Sequence, residues 1–383
     1  MIVLQNSRNH IGNTGLGHFT EPSFPSIDHV RASSALKDRH VLVTGAGGSI
    51  GSALVEDILA FNPSTLTLLE LSENNLFELE RKLSKVGSKS RIEPVLGSVA
   101  DCRVLDALFS KRVFDLVFHT AAFKHVPLLE SQPAAAIENN ILGTYELASR
   151  TVQSGVGKLI MLSTDKAVNP TSIMGASKRA GEVILGSFNN PNSQMTSVRL
   201  CNVLDSRGSV VPCFEEQIRN GYPVTVTDRE ATRFFISLKS AVNLLIQSVW
   251  LGQGGDVLVP GSRDPVRIVD IAEYLISFAD ADQNVAPHIV FTGLRSGEKL
   301  HEQLFSPSEQ LMATTTDGVR RFAAPTLSLA DLEHLISSMR SNLAKQDIPR
   351  LIEFLRQFAP EYHPSALISS LSNGSNGLLK AIT

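Results

Sequence analysis

No stretch of this sequence approaches the ~18 consecutive apolar residues that a helix needs to cross a bilayer. The opening MIVLQNSRNH has an apolar run too short for a secretory leader. Charge of neither sign dominates: 35 Lys and Arg stand against 38 Asp and Glu, a net −3. That balance gives no electrostatic reason to expect nucleic acid or an anionic membrane as a partner, although a local positive patch for a phosphorylated ligand stays open. Cysteine is scarce. Cys102, Cys201 and Cys213 are odd in number and lack motif spacing, so a reducing compartment and no metal site are expected. There is no internal repeat. These absences point to a soluble, cytoplasmic chain, and its 383 residues, 43% of them hydrophobic, suffice for a large core in one two-lobed body or two close domains.

Residues 1–36 mix Gly, Pro, Ser and Asn with little periodicity and read as an arm packed on the body. From His40 onward, short apolar runs alternate with amphipathic stretches. Strands are expected at His40–Thr44, Leu66–Leu69, Ile92–Leu96, Leu116–His119, Leu159–Leu162 and Thr196–Leu200, with helices from near Ser49, Glu73, Asp101, Pro133 and Met174. Strands separated by helices build βαβ units. The fold class is therefore α/β, a Rossmann-type doubly wound parallel sheet whose strand ends share one ligand-binding edge. Beyond Asn202 the order loosens. Strand-like Val224–Val226 and Val257–Val259, with helices near Lys239–Val249, Ile268–Phe278 and Gly297–Leu304, suggest a smaller α/β substrate-binding lobe. Amphipathic helices fill 329–357, and SNGSNG at 372–377 reads as a flexible tail. The division is an arm (1–36), a nucleotide-binding domain (37–201), a second lobe (202–328) with return segments to the first allowed for, and C-terminal helices with a tail (329–383).

VLVTGAGGSIGSALVEDIL sets Gly45, Gly48 and Gly51 between the first strand and the first helix. Glycines permit the tight turn and let backbone N–H groups, with Ser49 and Ile50 opening the helix, approach a pyrophosphate. Glu70 closes the second strand ~20 residues later, where an acidic side chain accepts bonds from ribose hydroxyls and disfavours a 2′-phosphate. NAD is expected over NADP; the plainer alternative is that Glu70 only caps the next helix. HTAAFKHVPLLE follows the fourth strand and places Ala121, Ala122 and Lys124 by the cofactor. His125 is either functional or a structural hydrogen-bonding residue, and Asn140 in NNILGT is expected to bond backbone near the site.

TGAGGSIG, AAFKHVP, NNILGT, STDKAVNPTSIMGASKR, NVLDSRGSVVP, TRFF and GLRSGEKLHEQL occur in this order. Together they resemble the extended short-chain dehydrogenase/reductase superfamily, in its polysaccharide-biosynthesis branch of nucleotide-sugar 4,6-dehydratases, whose usual substrate is UDP-N-acetylglucosamine. The resemblance covers roughly residues 20–325. Larger relatives carry membrane spans before this region, and EPSFPSIDHVRASSALKDRH resembles the join, so the chain resembles a soluble version of the catalytic part. Many short-chain dehydrogenases place a tyrosine four residues before a lysine. Here Met174 precedes Lys178, and a thioether cannot titrate. Methionine at this place is a known variant within the branch, which argues against simple decay.

The resemblance implies oxidation at C4 of a hexose, loss of water across C5–C6, and return of the hydride to C6. It assigns Asp165 as acid for O6, Lys166 as base at C5, Thr164 as a hydrogen-bond partner of O4, Lys178 at the nicotinamide ribose, and Met174 to the pocket wall. A lysine base must be neutral, and burial beside a positive nicotinamide is expected to lower its pKa while desolvation raises that of Asp165. Adjacent groups would titrate as a pair; the plainer alternative is a structural ion pair. The acceptor of the O4 proton stays open between Thr164 with a water, Lys178 through the ribose, and Lys166 itself.

On the substrate side the resemblance implies Lys124 and Asn202 at the sugar or diphosphate, and Ser209, Val210 and Val211 along the nucleotide. Arg295 falls on the diphosphate and Glu298 at the uridine ribose. Ser98 and Val99 fall at the adenine, and Arg233 is either a ligand contact or a salt bridge. Ser98 stands where an aspartate is usual, with Asp101 as a candidate replacement. Cys201 and Asp205 stand where small glycines are usual. The rival readings are C5-inverting dehydration, 4-epimerisation of another nucleotide sugar, and a silent NAD-binding scaffold. A homodimer or larger assembly through helices of the cofactor domain is expected.

Overall fold

The computed structural model describes Phe19 and residues 26–204, 206–261, 264–278 and 288–372. Most of the expected arm, Asp205 and nearly all of the SNGSNG run lie outside the described residues.

Nine strands form one sheet: β1 (His40–Thr44), β2 (Thr65–Glu70), β3 (Arg91–Leu96), β4 (Leu116–His119), β5 (Lys158–Thr164), β6 (Gln194–Leu200), β7 (Asp256–Pro260), β8 (Met312–Ala313) and β9 (Val319–Ala323). Their order is β8-β9-β7-β6-β5-β4-β1-β2-β3. Every pair from β7 to β3 is parallel, whereas β9 runs antiparallel to both β7 and β8. β2, β4 and β7 are buried along their whole length, as strands covered by helices on both faces must be. The order reverses between β1 and β4. The loops leaving those two strands diverge there and open the crevice.

The described helices include α1 (His29–Leu36), α2 (Ser49–Leu59), α3 (Glu73–Leu83), α4 (Cys102–Lys111), α5 (Val126–Ser131), α6 (Gly143–Gln153), α7 (Ile173–Phe188), α8 (Val210–Arg219), α9 (Leu238–Leu251), α10 (Ile268–Ser277), α11 (Leu329–Ala344) and α12 (Ile348–Phe358), with shorter ones at Pro133–Ala136 and Ala366–Ser372. Their starts are set by side-chain caps. Ser72, Asp101, Ser172, Ser237, Ser328 and Asp347 each accept a backbone N–H from the first turn. One core lies between the sheet and α4, α6, α7, α11 and α12, and another under α1, α2, α3 and α9. A smaller core joins α8, α10 and the strand Val224–Val226 in the second lobe.

Two expectations are corrected. Val257–Val259 belongs to β7 in the main sheet, paired in parallel with β6, not to the second lobe. α9 likewise packs on α2, so the return to the first domain is extensive. No helix forms over Gly297–Leu304. Gly297 takes φ +80°, and the carbonyls of Lys299 and Leu300 accept from the Arg233 guanidinium at 2.9 and 3.0 Å. Thr232 N–H also donates to Leu300. The acceptors a helix would use are committed elsewhere.

The C-terminal helices are part of the body. α12 packs on α7, and Arg340 of α11 lies over the Tyr145 ring of α6. His363 N–H donates to the Pro170 carbonyl, Arg179 pairs with Glu361 at 3.0 Å, and Ser365 donates to Glu130 at 2.5 Å. The α6–α7 face of the cofactor domain is thus covered by the same chain.

Candidate active site

β5 ends at Thr164, and Asp165–Ala167 make one 3-10 turn at the open edge of the sheet. The Thr164 hydroxyl donates to Asp165 Oδ1 at 3.0 Å. Lys166 Nζ donates to the same oxygen and to Asn202 Oδ1, each at 2.9 Å. Asp165 is fully buried, and its Oδ2 has no hydrogen-bond partner among the described residues. A buried acceptor left unpaired costs ~1–3 kcal/mol, which makes it a natural place for a ligand group.

Lys166 departs from expectation. Burial opposes its charge, but Asp165 and then Glu302, whose Oε1 lies 3.9 Å away, outweigh burial and raise its pKa. Among the protein's own groups the direction is opposite to the expected lowering, because two carboxylates within 4 Å act on an amine that keeps 21% exposure. Sequence reasoning did not single out Glu302. Its signal lay in GLRSGEKLHEQL, a segment otherwise read as helix.

α7 meets this turn head-on. A Cβ on Gly175 would lie 2.2 Å from the Lys166 carbonyl oxygen, so only glycine allows the approach. Ser172 and Glu130 accept the N–H groups of Gly175 and Ile173 at 3.1 and 2.7 Å. Met174 is 4% exposed and packs in the apolar core with Ile173 and Ala176. One turn later, burial pushes the Lys178 amine down to about 8, against a smaller opposing effect of Glu182. Asn140 sits in a π-helical turn, Ile137–Leu142. It accepts from Phe123 N–H at 2.8 Å and donates to the Phe123 carbonyl and Ser177 hydroxyl, each at 3.0 Å. It ties the loop after β4 to α7.

The glycine-rich turn lies beside this cluster. Gly45 takes φ +68°, and a Cβ there would meet the Ala121 backbone at 2.6 Å. A Cβ on Gly51 would lie 2.2 Å from the Gly45 carbonyl. Gly48 caps α2 without a side chain, so its first N–H groups face outward, and Ser49 and Ile50 follow as its first turn. Glycine at these two positions lets the turn pack against the loop after β4 and the start of α2, and the helix N-terminus it leads into suits a pyrophosphate. Glu70 accepts Gly47 N–H and Ser72 N–H, each at 2.9 Å. Its carboxylate bridges the turn to α3 and keeps lone pairs for a ribose.

Some expected contacts take other forms. Ser98 accepts Ala100 N–H at 3.1 Å, while Asp101 caps α4 and pairs with Arg103. Val99 is buried against Gly143, and Ala122 lines the loop after β4. Lys124 donates to the Arg207 carbonyl at 2.8 Å. Arg207, unnoticed in the sequence, donates through its N–H to Ser49 Oγ and through its guanidinium to Asn75 and the Gly47 carbonyl. The His125 carbonyl accepts Leu129 N–H at 3.0 Å, while its ring has no hydrogen-bond partner among the described residues; burial, Lys124 and Arg295 lower its pKa. Arg295 and Glu298 pair with each other, Nε to Oε1, at 2.9 Å. Ser209 precedes α8 next to Val210 with a buried hydroxyl that has no partner among the described residues. Arg233 is a structural clamp on the 299–301 segment. No cluster among the described residues could hold a metal ion, and no helix there is long and apolar enough to cross a membrane.

A family model described as polysaccharide biosynthesis protein matches residues 41–324. The capsular polysaccharide biosynthesis protein CapD of Staphylococcus aureus is 38% identical over 85% of this chain, which covers 55% of that relative. The chain therefore spans about half its length. A UDP-N-acetylglucosamine 4,6-dehydratase (inverting) of Campylobacter jejuni is 31% identical over 77% of this chain and 85% of its own. A UDP-glucose 4-epimerase of Rickettsia prowazekii is 32% identical over 74% and 82%. The structure of Pen from Bacillus thuringiensis superposes with a TM-score of 0.69 at 30% identity, over 76% of this chain and 89% of that one.

Proposed function

The chain belongs to the polysaccharide biosynthesis protein family, and from that premise we propose that it is an NAD-dependent nucleotide-sugar 4,6-dehydratase acting on UDP-N-acetylglucosamine. The observation that carries this reading is the fully buried Asp165, bonded to Lys166 through one oxygen and unpartnered at the other. NAD would be held by the Gly45–Gly51 cradle, Glu70 and Lys178. Bound there, it would supply the hydride chemistry, accepting from C4 and giving back to C6 as the Lys166 ammonium returns its proton to C5, so no net oxidation results.

The residues supply the rest. A ketone at C4 makes the C5 proton acidic. Lys166 must be neutral to take that proton, and Asp165 protonated to release O6. Transfer of one proton along the 2.9 Å Nζ–Oδ1 bond converts the resting ion pair into both required states. The C5–H electron pair then forms the C5–C6 double bond, the C6–O6 bond breaks, and O6 leaves as water with the Asp165 proton. Lys178, at about 8, suits the path that removes the O4 proton. Arg295, Glu298, Lys124, Asn202 and Ser209 are the proposed nucleotide-sugar contacts, with the Arg295–Glu298 pair opening to receive the ligand.

Purified protein given UDP-N-acetylglucosamine should yield a product lighter by one water in mass spectrometry. No such loss with any common UDP- or dTDP-hexose would sink the proposal. An epimerase gives a product of unchanged mass, and NMR after reaction in D2O separates retention from inversion at C5. Met174 shapes the apolar wall and has no proton to exchange. Met174→Leu, a volume-conserving change, should cost under ~1.5 kcal/mol in denaturant melts and keep turnover within about threefold. A large loss of turnover with an unchanged melt would give the thioether a direct role.

A further inference from the structure

Glu302 is 7% exposed and faces three cations. Its Oε1 lies 3.9 Å from Lys166 Nζ and 4.0 Å from Arg233 Nε, and its Oε2 lies 3.7 Å from Lys299 Nζ with no hydrogen-bond partner among the described residues. Two of these cations are committed elsewhere. Arg233 donates to the carbonyls of Thr232, Lys299 and Leu300, and Lys299 to the Val168 carbonyl at 2.6 Å. Lys166 is the cation whose charge changes in the proposed reaction.

We propose that Glu302 is a positioning residue, the counter-charge that keeps Lys166 basic and in place while Asp165 carries the proton for O6. Its consequence for turnover rests on the dehydratase reading; its effect on Lys166 does not. The charge count gives the reason. In the resting site Asp165 and Glu302 oppose Lys166, Arg233 and Lys299, with Asn202 a neutral acceptor. Once Asp165 is protonated, the ammonium that Lys166 forms on taking the C5 proton meets two fixed cations. Glu302 is then the one carboxylate among the described residues within 4 Å that still opposes them. Without it Lys166 becomes a weaker base at the moment it is needed.

The test is Glu302→Gln, with Glu302→Asp as the charge-conserving partner. Lys166 is titrated by competitive acetylation with acetic anhydride, read by peptide mass spectrometry, and the pH profile of kcat/KM is recorded alongside. In wild type the Lys166 amine should titrate above the ordinary lysine value. In Glu302→Gln its pKa should fall, and the alkaline limb of the profile should move down with it. kcat should drop roughly tenfold with KM within about threefold, and Glu302→Asp should recover much of the limb. A Lys166 titration and alkaline limb that stay put in folded Glu302→Gln overturn the proposal. If that variant does not fold, Glu302→Asp is read alone: a partial fall supports the proposal and no fall overturns it. A wild-type protein that releases water from no nucleotide hexose instead defeats the dehydratase reading, and the Lys166 titration still decides the role of Glu302.

Discussion

Asp165→Asn should lower turnover about 10²–10⁴-fold, the range that a positioned general acid contributes. The amide keeps the shape, and its oxygen can still accept from Thr164 and Lys166, so the turn after β5 has no reason to unfold. What it loses is a transferable proton. It can neither protonate O6 nor receive the proton that Lys166 must shed. The amide nitrogen also falls where Oδ2 has no partner, and a buried unpaired donor costs ~1–3 kcal/mol. A modest fall in stability should therefore accompany a large fall in water release. Single-turnover mass spectrometry with UDP-N-acetylglucosamine, beside a denaturant melt, separates the two. Turnover within tenfold of wild type would refute the acid role.

The largest effect on stability is expected at Arg199→Met. Arg199 is 1% exposed and donates to both oxygens of Glu182, at 2.8 and 2.7 Å, and to both of Glu309, each at 2.8 Å. Glu182 also accepts from Ser163, next to the catalytic turn, and from Arg179. The network ties α7 to β5, β6 and the 304–309 loop. Removing the guanidinium strands buried carboxylates, which typically costs 3–5 kcal/mol. Burial alone would raise the Glu182 carboxyl, but Arg199 foremost, with Arg179 and Ser163, holds it down at about 2. The sign follows from that depression. A carboxyl lowered on folding stabilises the native state above its unfolded value, near 4.5, and the gain disappears as pH falls toward 2. In Arg199→Met that gain is gone, so acid unfolding should begin at higher pH. Urea melts across pH 3–7 read both effects; an acid midpoint equal to that of wild type would refute the account.

Local chemistry made much of this legible from residues alone. His40–Thr44 and Leu116–His119 appear in the sheet residue for residue, because short apolar runs bounded by turns are strands wherever the chain places them. Gly45 had to be glycine, since φ +68° and the nearness of Ala121 are properties of the turn itself. What escaped depended on distant partners. VLVP declared a buried strand but not which sheet it would join. The spacing of KLHEQL is helical, yet Arg233 claims its carbonyls. Lys166 is held by Asp165 beside it and also faces Glu302 at 3.9 Å, and no local reading of STDKAV reveals a carboxylate arriving from the second lobe.

The straps at 361–365 also set an order of events. Arg179 finds Glu361 182 residues further along, and Glu130 finds Ser365 235 residues on. Chains are made from the N-terminus at about 5–20 residues per second. The helix bearing Met174 and Lys178 thus leaves the ribosome well before the residues that fasten its head. Contacts of such long sequence separation form late and slowly. A nascent chain can hold its dinucleotide cradle early, but it completes its catalytic end only as one of the last acts of folding.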